Sequence, residues 1–324
     1  MKKQVFVSGK IPQVASALLS KFFDVTIHND LNLLSKQEII EGVAGKDALL
    51  CLLSDNIDSD VIASNAKLKV IANYGAGFNN IDIAAATARK IPVTNTPAVS
   101  TAATADLTIG LMIAIARRIV EGDKTTREGR FTGWAPLYHL GVEVTGKTLG
   151  IVGMGNIGKA VVKRARGFDM RIVYFSRTRL KPELEKELQL EYLPLDEVIK
   201  TSDFLSFHAS YNPSLHHLIG AEQLAAMKSS AYLINAARGP MIDEAALLKA
   251  LQEKNIAGAA LDVYEFEPKV TAGLEKLDNV ILCPHLGNAT VETRDAMAEI
   301  AAKNIVAVLN GEKALNCVNP QIYE

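Results

Sequence analysis

Cysteine, net charge and long apolar runs are all scarce in this 324-residue chain, and each scarcity removes a class of protein. The three cysteines, Cys51, Cys283 and Cys317, lie far apart, are odd in number and form no CxxC pair. Neither a disulfide framework nor a cysteine zinc site is expected, no metal is called for, and a reducing cytoplasm suits such thiols. With 35 Lys+Arg against 36 Asp+Glu the formal net charge is −1, which provides no basic field for nucleic acid. The longest apolar stretch, 107–116, is about ten residues and runs into Arg117 and Arg118, whereas a membrane span needs about 20. It reads as a buried helix of a soluble protein that makes no use of a membrane. The N-terminal apolar run, Val5-Phe6-Val7, is too short for the core of a signal peptide and reads as a first strand.

What is present is an ordinary globular composition, 48% hydrophobic and 22% charged, on a length suited to two domains. Short β-rich runs alternate with helical patterns, the sequence habit of parallel sheets covered by helices on both faces. The expected strands of a first series are 4–7, 25–27, 48–53, 70–73 and 92–94, with helices at 14–22 and 35–43 between them. A second series runs 149–152, 171–175, 204–207, 232–235, 258–261 and 280–283, six strands in all and the size of a dinucleotide-binding sheet. An Ala-rich helix of about twenty residues, 101–120, separates the two series, and helix returns at 290–309 after the last strand. The fold class is therefore α/β, with two Rossmann-like doubly wound parallel-sheet domains. The returning helix implies a discontinuous substrate domain, 1–100 plus 288–324, into which a dinucleotide-binding domain, 101–287, is inserted.

Gly153-Met154-Gly155-Asn156-Ile157-Gly158 follows a clear strand and opens a helix with apolar residues at Ile157, Val161, Val162 and Ala165. Glycines there permit a tight turn and close backbone approach, while a helix N-terminus offers free N–H groups and a positive dipole end to a pyrophosphate. GxGxxG alone is weak, but in strand–turn–helix context it points to a dinucleotide. The next strand ends in Phe175-Ser176-Arg177-Thr178-Arg179, without the acid that would bond the ribose hydroxyls. Ser176, Arg177 and Arg179 instead offer a hydroxyl and two guanidiniums to a 2′-phosphate, which favours NADP(H), with NAD(H) as the alternative.

Three later strand ends carry ionisable side chains. Arg238 follows strand 232–235, Asp262 and Glu267 follow strand 258–261, and His285 follows strand 280–283. Open α/β sheets bind ligands at that edge. Singly, each has an ordinary explanation as a surface charge, a solvated loop residue or a satisfied core histidine. Together beside a nucleotide turn, an imidazole, a carboxylate and a guanidinium suit proton transfer to a small acid whose carboxylate is bound, as reduction of a 2-keto acid requires.

These segments resemble the D-isomer-specific 2-hydroxyacid dehydrogenases over essentially the whole chain. The resemblance is carried by Gly75-Ala76-Gly77-Phe78-Asn79-Asn80-Ile81-Asp82, the Gly153 turn, Ile234-Asn235-Ala236-Ala237-Arg238-Gly239, Leu261-Asp262-Val263-Tyr264-Glu265-Phe266-Glu267-Pro268 and Pro284-His285-Leu286-Gly287. It implies that His285 is the general acid, that Glu267 hydrogen-bonds its ring and favours the charged form, and that Arg238 binds the substrate carboxylate and polarises the carbonyl. It implies too that the amides of Ala76 and Gly77 and the side chain of Leu53 meet substrate. Gly153, Gly155, Asn156, Ile157, Gly158, His208, Ala209, Ala236, Arg238, Asp262 and His285 would line the cofactor, Asp262 receiving the nicotinamide carboxamide.

Within the family, the arginines after Ser176 and the tail Leu315-Asn316-Cys317-Val318-Asn319-Pro320 resemble NADP-preferring glyoxylate/hydroxypyruvate reductases, a group that also reduces 2-ketogluconate. The chain ends soon after that tail, which speaks against the regulatory domain of many D-3-phosphoglycerate dehydrogenases. A nucleotide-sensing, co-repressor-like binding protein is the alternative from another class, and the intact Arg238, Glu267 and His285 argue against it. Two departures from the family pattern stand out: Asn288 where a small residue is usual, with a bearing on the pocket, and Asp169 where Gly is usual, with a bearing on a turn. The resemblance also implies a homodimer, in which the loop carrying Trp134, the only tryptophan, crosses to the partner.

Overall fold

A computed structural model describes residues 2–30 and 32–324. Contacts divide the chain into two compact units, Met1–Ser100 with Ala289–Glu324, and Thr101–Asn288.

The first unit holds a five-stranded sheet of β1 (Gln4–Val7), β2 (Asp24–Ile27), β3 (Ala48–Leu52), β4 (Val70–Tyr74) and β5 (Val93–Thr94), in the order β2-β1-β3-β4-β5 and parallel throughout. Its inner strands β1, β3 and β4 are buried on both faces, so they read as near-continuous apolar runs, whereas the edge strand β2 is half-exposed. One face packs Val5, Val7, Leu50, Ala72 and Tyr74 against Met297, Ala301 and Ile305 of the long helix Val291–Leu309. The side chain of Thr290 caps that helix by accepting from the Thr293 amide. The opposite face packs Phe6, Leu49, Cys51 and Ile71 against Ile39, Val43, Val61 and Ile62.

The second unit is a parallel sheet of seven strands, not six: β6 (Thr148–Val152), β7 (Arg171–Phe175), β8 (Leu190–Tyr192), β9 (Phe204–Phe207), β10 (Tyr232–Asn235), β11 (Gly258–Leu261) and β12 (Val280–Leu282), ordered β12-β11-β10-β9-β6-β7-β8. The additional strand, β8, is a three-residue edge strand with Glu191 pointing to solvent, too short and too polar to announce itself by pattern. Strand order reverses between β6 and β9, which makes their C-terminal ends the switch point where such sheets take ligands.

Register then fixes the geometry of that edge. Val152 and Asn235 each pair with Phe207, Asn235 pairs with Leu261, and Leu261 pairs with Leu282. The residues that follow, Gly153, His208, Ala236, Asp262 and Cys283, therefore leave the sheet along one line. Below it, Val152, Leu205, Phe207 and Leu233 fill one face, while Ile151, Tyr174, Phe204 and Ile234 fill the other.

The expected twenty-residue helix is two helices, Thr101–Ala116 and Ile119–Arg127. Arg118 breaks it with a left-handed φ of 53°, and its guanidinium turns onto Glu121, with Nε–Oε2 at 2.7 Å and Nη2–Oε1 at 2.5 Å. A right-handed helix cannot continue through that conformation. Asp169, where glycine is usual, likewise adopts a left-handed φ of 50° at a turn before β7.

Candidate active site

The turn after β6 is built for close approach. Gly153 has φ +100°, and a Cβ there would lie 2.4 Å from the Ala209 amide nitrogen. Only glycine fits, because the β6 turn and the His208-Ala209 segment press together at the switch point. The helix Asn156–Ala165 begins at Gly155 with no side-chain cap, which leaves its first amides open to an anion. Val161, Val162 and Ala165 bury the other end of that helix on the core.

His208, the first residue beyond β9, is buried, its Nε2 2.8 Å from Ser206 Oγ and its Nδ1 buried without a partner. Burial alone pulls its pKa down to about 3, so the ring is neutral at physiological pH. A neutral imidazole with one unsatisfied nitrogen beside the Gly153 turn is a poised donor or acceptor for a bound group.

Beyond β7, Ser176 is half-buried and Arg177 exposed. Arg179 departs from the expectation of two free guanidiniums. It forms a bidentate pair with Glu185, both N–O distances 2.8 Å, and lies over the Tyr192 ring at 4.9 Å. Glu185 also accepts from Tyr174 Oη at 2.6 Å, and that hydroxyl accepts from the Leu180 amide at 2.9 Å. Arg179, with Tyr174, holds the Glu185 carboxyl at about 2. The loop of Ser176, Arg177 and Thr178 is thus braced from below by Arg179.

Arg238 stands at the end of a self-closed turn. Asn235 Oδ1 accepts from the Ala237 amide at 3.1 Å, and its Nδ2 donates to the Arg238 carbonyl at 3.1 Å. A Cβ on Gly239 would overlap the Tyr264 carbonyl at 1.9 Å, so this glycine lets the Arg238 turn lie directly on the 264–265 backbone. The guanidinium donates to the Ala237 carbonyl at 2.7 Å. Burial lowers its pKa, and the charge of Glu267 opposes that shift.

Glu267 Oε1 accepts from the Tyr264 amide at 3.1 Å, and Oε2 lies 3.1 Å from His285 Nδ1. Burial pushes this carboxyl up, but the hydrogen bond and charge of His285, with the Tyr264 amide and Arg238, bring it below its ordinary value. Glu267 is therefore a carboxylate at neutral pH, and with Nδ1 turned to it the Nε2 of His285 is the nitrogen left to face a ligand.

His285 itself has a left-handed φ of 54°, a strained conformation that persists only where the surroundings impose it. Asp262 imposes it. The Asp262 carbonyl accepts from the His285 amide at 3.0 Å, Oδ1 from the Leu286 amide at 2.6 Å and Oδ2 from the Gly287 amide at 2.8 Å. Thr104 Oγ1 donates to the Gly287 carbonyl at 2.9 Å, and Tyr264 Oη to the Cys283 carbonyl at 2.8 Å. Burial raises the Asp262 carboxyl, against those two amides and the charge of His285. Asp262, expected as a cofactor contact, thus also serves as the clamp of the histidine turn. Next to it, Asn288 Oδ1 is buried with no partner.

Leu53, Ala76 and Gly77 lie in the first unit. Asn73 Nδ2 donates to the Gly77 carbonyl at 2.6 Å and Asn95 Nδ2 to the Ala76 carbonyl at 2.7 Å, so both carbonyls are tied back. The Ala76 and Gly77 amides have no partner among the described residues. Leu53 packs over Gly75.

One buried acid that no motif marks is Asp55, 2% exposed. It takes the Ser8 hydroxyl and the Leu52 amide, the latter at 2.7 Å, and burial raises its pKa. Spacing does not reveal it, because its partner Ser8 follows β1, 47 residues away. Tyr264 and Thr104 were equally invisible as braces, since each acts across a separation that only the fold closes.

No helix among the described residues is long and apolar enough to cross a membrane. Residues 109–287 match the family described as D-isomer specific 2-hydroxyacid dehydrogenase, NAD binding domain. A protein of Staphylococcus haemolyticus named for the 2-hydroxyacid dehydrogenases is 52% identical over 317 residues, 98% of this chain and 99% of its own. A solved Thermus thermophilus protein is 42% identical with a TM-score of 0.92, covering 97% of this chain and 99% of that one. The NADPH-dependent glyoxylate/hydroxypyruvate reductase of Sinorhizobium meliloti, solved with NADP and malonate, is 32% identical with a TM-score of 0.86, covering 98% and 97%. With its parallel seven-stranded sheet, its glycine turn at the switch point and these relatives along almost its full length, the chain belongs to the D-isomer specific 2-hydroxyacid dehydrogenase family.

Proposed function

We propose that the chain is an NADPH-dependent reductase of small 2-keto acids, glyoxylate and hydroxypyruvate first and 2-ketogluconate next, giving D-2-hydroxy acids. The observation that carries the reading is the His285–Glu267 pair, 3.1 Å apart, on the same sheet edge as the Gly153 turn. NADP(H) fits this edge on three counts: the Gly153 approach, the uncapped helix at Gly155 and the unpartnered His208 Nδ1. When bound, it supplies the hydride. Gly153, Gly155, Asn156, Ile157 and Gly158 hold the pyrophosphate, Ser176 and Arg177 the 2′-phosphate, and His208, Ala209, Ala236 and Asp262 the remainder.

His285 holds a proton on Nε2 and passes it to the substrate's keto oxygen, and Glu267 stabilises the imidazolium form that can donate it. Arg238 binds the substrate carboxylate, and the amides of Ala76 and Gly77 and the side chain of Leu53 are proposed as further substrate contacts. Arg238 carries its charge into a dry environment, where its pull on the carbonyl is stronger than in water. Support for NADP(H) comes from the absence of an acid after β7 and from the S. meliloti relative's own cofactor.

The chain is further proposed to work as a cytoplasmic homodimer. Its thiols are unpaired, and Ile119, Val120, Phe131, Trp134, Leu137 and Leu140 expose between 52% and 84% of their surface along one stretch of sequence.

The test is the rate of absorbance loss of NADPH, and separately of NADH, with glyoxylate, hydroxypyruvate, 2-ketogluconate and pyruvate at matched concentrations. Faster oxidation of NADPH with one of the first three is expected. Tight nucleotide binding without turnover on any of them would replace the reductase reading with that of a nucleotide sensor.

A further inference from the structure

Outside the residues assigned above, one cluster of ligating side chains stands out. His216, His217 and Glu265 each offer one ligand atom, and the three atoms lie within 4.8 Å of one another. Adjacent residues normally direct their side chains apart. Here His217 has a left-handed φ of 50°, and its ring stacks on that of His216 with centroids 4.0 Å apart and planes 18° from parallel. The strained backbone is held by the His217 amide, which donates to the Pro240 carbonyl at 2.9 Å. The consequence is two imidazoles presented on one side of the 213–217 turn.

The third member is oriented in advance. Glu265 Oε1 lies 2.7 Å from His217 Nε2, and Oε2 accepts from the Glu244 amide at 3.4 Å. The Glu265 amide in turn donates to Glu244 Oε1 at 2.7 Å, and Thr271 Oγ1 donates to Glu244 Oε2 at 2.5 Å. The Glu265 side chain is only 9% exposed, so its carboxylate is fixed in place, while His216 and His217 are open to solvent. His216 Nδ1 lies 3.4 Å from Tyr211 Oη, a contact that steadies its ring. A carboxylate held by the Glu244 amide and an imidazole held by Tyr211 are the kind of supports that ligating residues use.

We propose that His216, His217 and Glu265 form a surface site for one divalent transition metal of the zinc class. Two imidazole nitrogens and one carboxylate oxygen are a donor set that zinc accepts, with water completing the fourth position. Donors around a tetrahedral zinc stand about 3.3 Å apart, so a small rotation of the exposed His216 ring closes the present spacing. The metal would sit between His217 Nε2 and Glu265 Oε1, bound by the neutral tautomer of the ring that carries its proton on Nδ1. Cysteine spacing gave no hint of such a site, because it uses none of the three thiols. Bound metal would clasp the 213–217 turn to the 264–268 loop, which also bears Glu267.

The experiment uses the full-length protein, freed of metal by chelator and titrated calorimetrically with zinc alone, then with cobalt(II) alone under a visible spectrum. One zinc per chain is expected, with cobalt d–d bands of a low-coordinate site, and a rise in Tm on zinc addition. His216→Ala, which alters an exposed ring and leaves the fold's supports untouched, weakens binding by roughly tenfold or more. His217→Ala does the same, and far-UV circular dichroism checks that it folds. Equal zinc affinity in wild type and His216→Ala, or no binding by wild type, overturns the proposal, since zinc held by the thiols would be indifferent to His216.

Discussion

The Asp262 carboxylate accepts from the amide of Gly287 at 2.8 Å while its neighbouring oxygen accepts from Leu286 at 2.6 Å, so one buried side chain fixes the strained turn that presents His285. Asp262→Asn replaces one acceptor by a donor and sets it against an amide in a dry site. Stability should fall by about 1–3 kcal/mol in urea denaturation, and turnover should fall with it as His285 loosens. Unchanged stability would show that the clamp is dispensable.

His285→Ala removes the proposed acid while leaving the glycine turn intact. Turnover should drop roughly 10² to 10⁴-fold, whereas NADPH affinity, read by nucleotide fluorescence, should hardly change. Retained turnover would mean that the proton comes from elsewhere.

At Gly153 the substitution to Ala forces a side chain into φ +100° and a 2.4 Å contact with the Ala209 amide. The strain is of order 1–3 kcal/mol. If the turn yields by shifting, it moves off the phosphate position, and NADPH binding should weaken roughly tenfold or more.

Arg177→Ala and Arg179→Ala should differ in kind. The first removes an exposed guanidinium proposed to meet the 2′-phosphate and should weaken NADPH roughly tenfold or more, with NADH unaffected. The second removes the Glu185 partner that braces the loop and should weaken both nucleotides. Equal effects of Arg177→Ala on the two nucleotides would remove Arg177 from phosphate recognition.

His208 makes stability depend on acid. Its pKa falls from 6.5 to about 3 on burial. Above about 6.5 the ring is neutral folded or unfolded and contributes nothing. Between 6.5 and 3 the unfolded chain binds a proton that the folded one refuses, so stability drops as pH falls, by about 1.4 kcal/mol per pH unit from this group. In His208→Asn the acid limb measured by urea unfolding should be shallower by one proton.

Much of the fold was legible because strands buried on both faces read as apolar runs and because each is followed by turn residues and a helix. The glycine turn was legible for the same reason: its motif, strand and helix are contiguous. β8 was not, since a three-residue edge strand with an exposed Glu191 carries no pattern. Nor was the break at Arg118, a left-handed residue paired with Glu121 inside a stretch whose helix propensity runs on. The engagement of Arg179 by Glu185 and the double duty of Asp262 were hidden too, because spacing reveals which residues share an edge but not which partner each one takes.

The unit built from Met1–Ser100 and Ala289–Glu324 has a consequence for synthesis. On the ribosome, the sheet face formed by Val5, Val7, Leu50, Ala72 and Tyr74 emerges early, but the helix that covers it, Val291–Leu309, is made last. At about 5–20 residues per second, translating the intervening residues 101–288 leaves that face uncovered for roughly 10–40 s. The unit encoded in the middle has every segment it needs before then. Nascent chains should therefore complete their second sheet first and call on chaperones for the other, an order opposite to that in which the two begin.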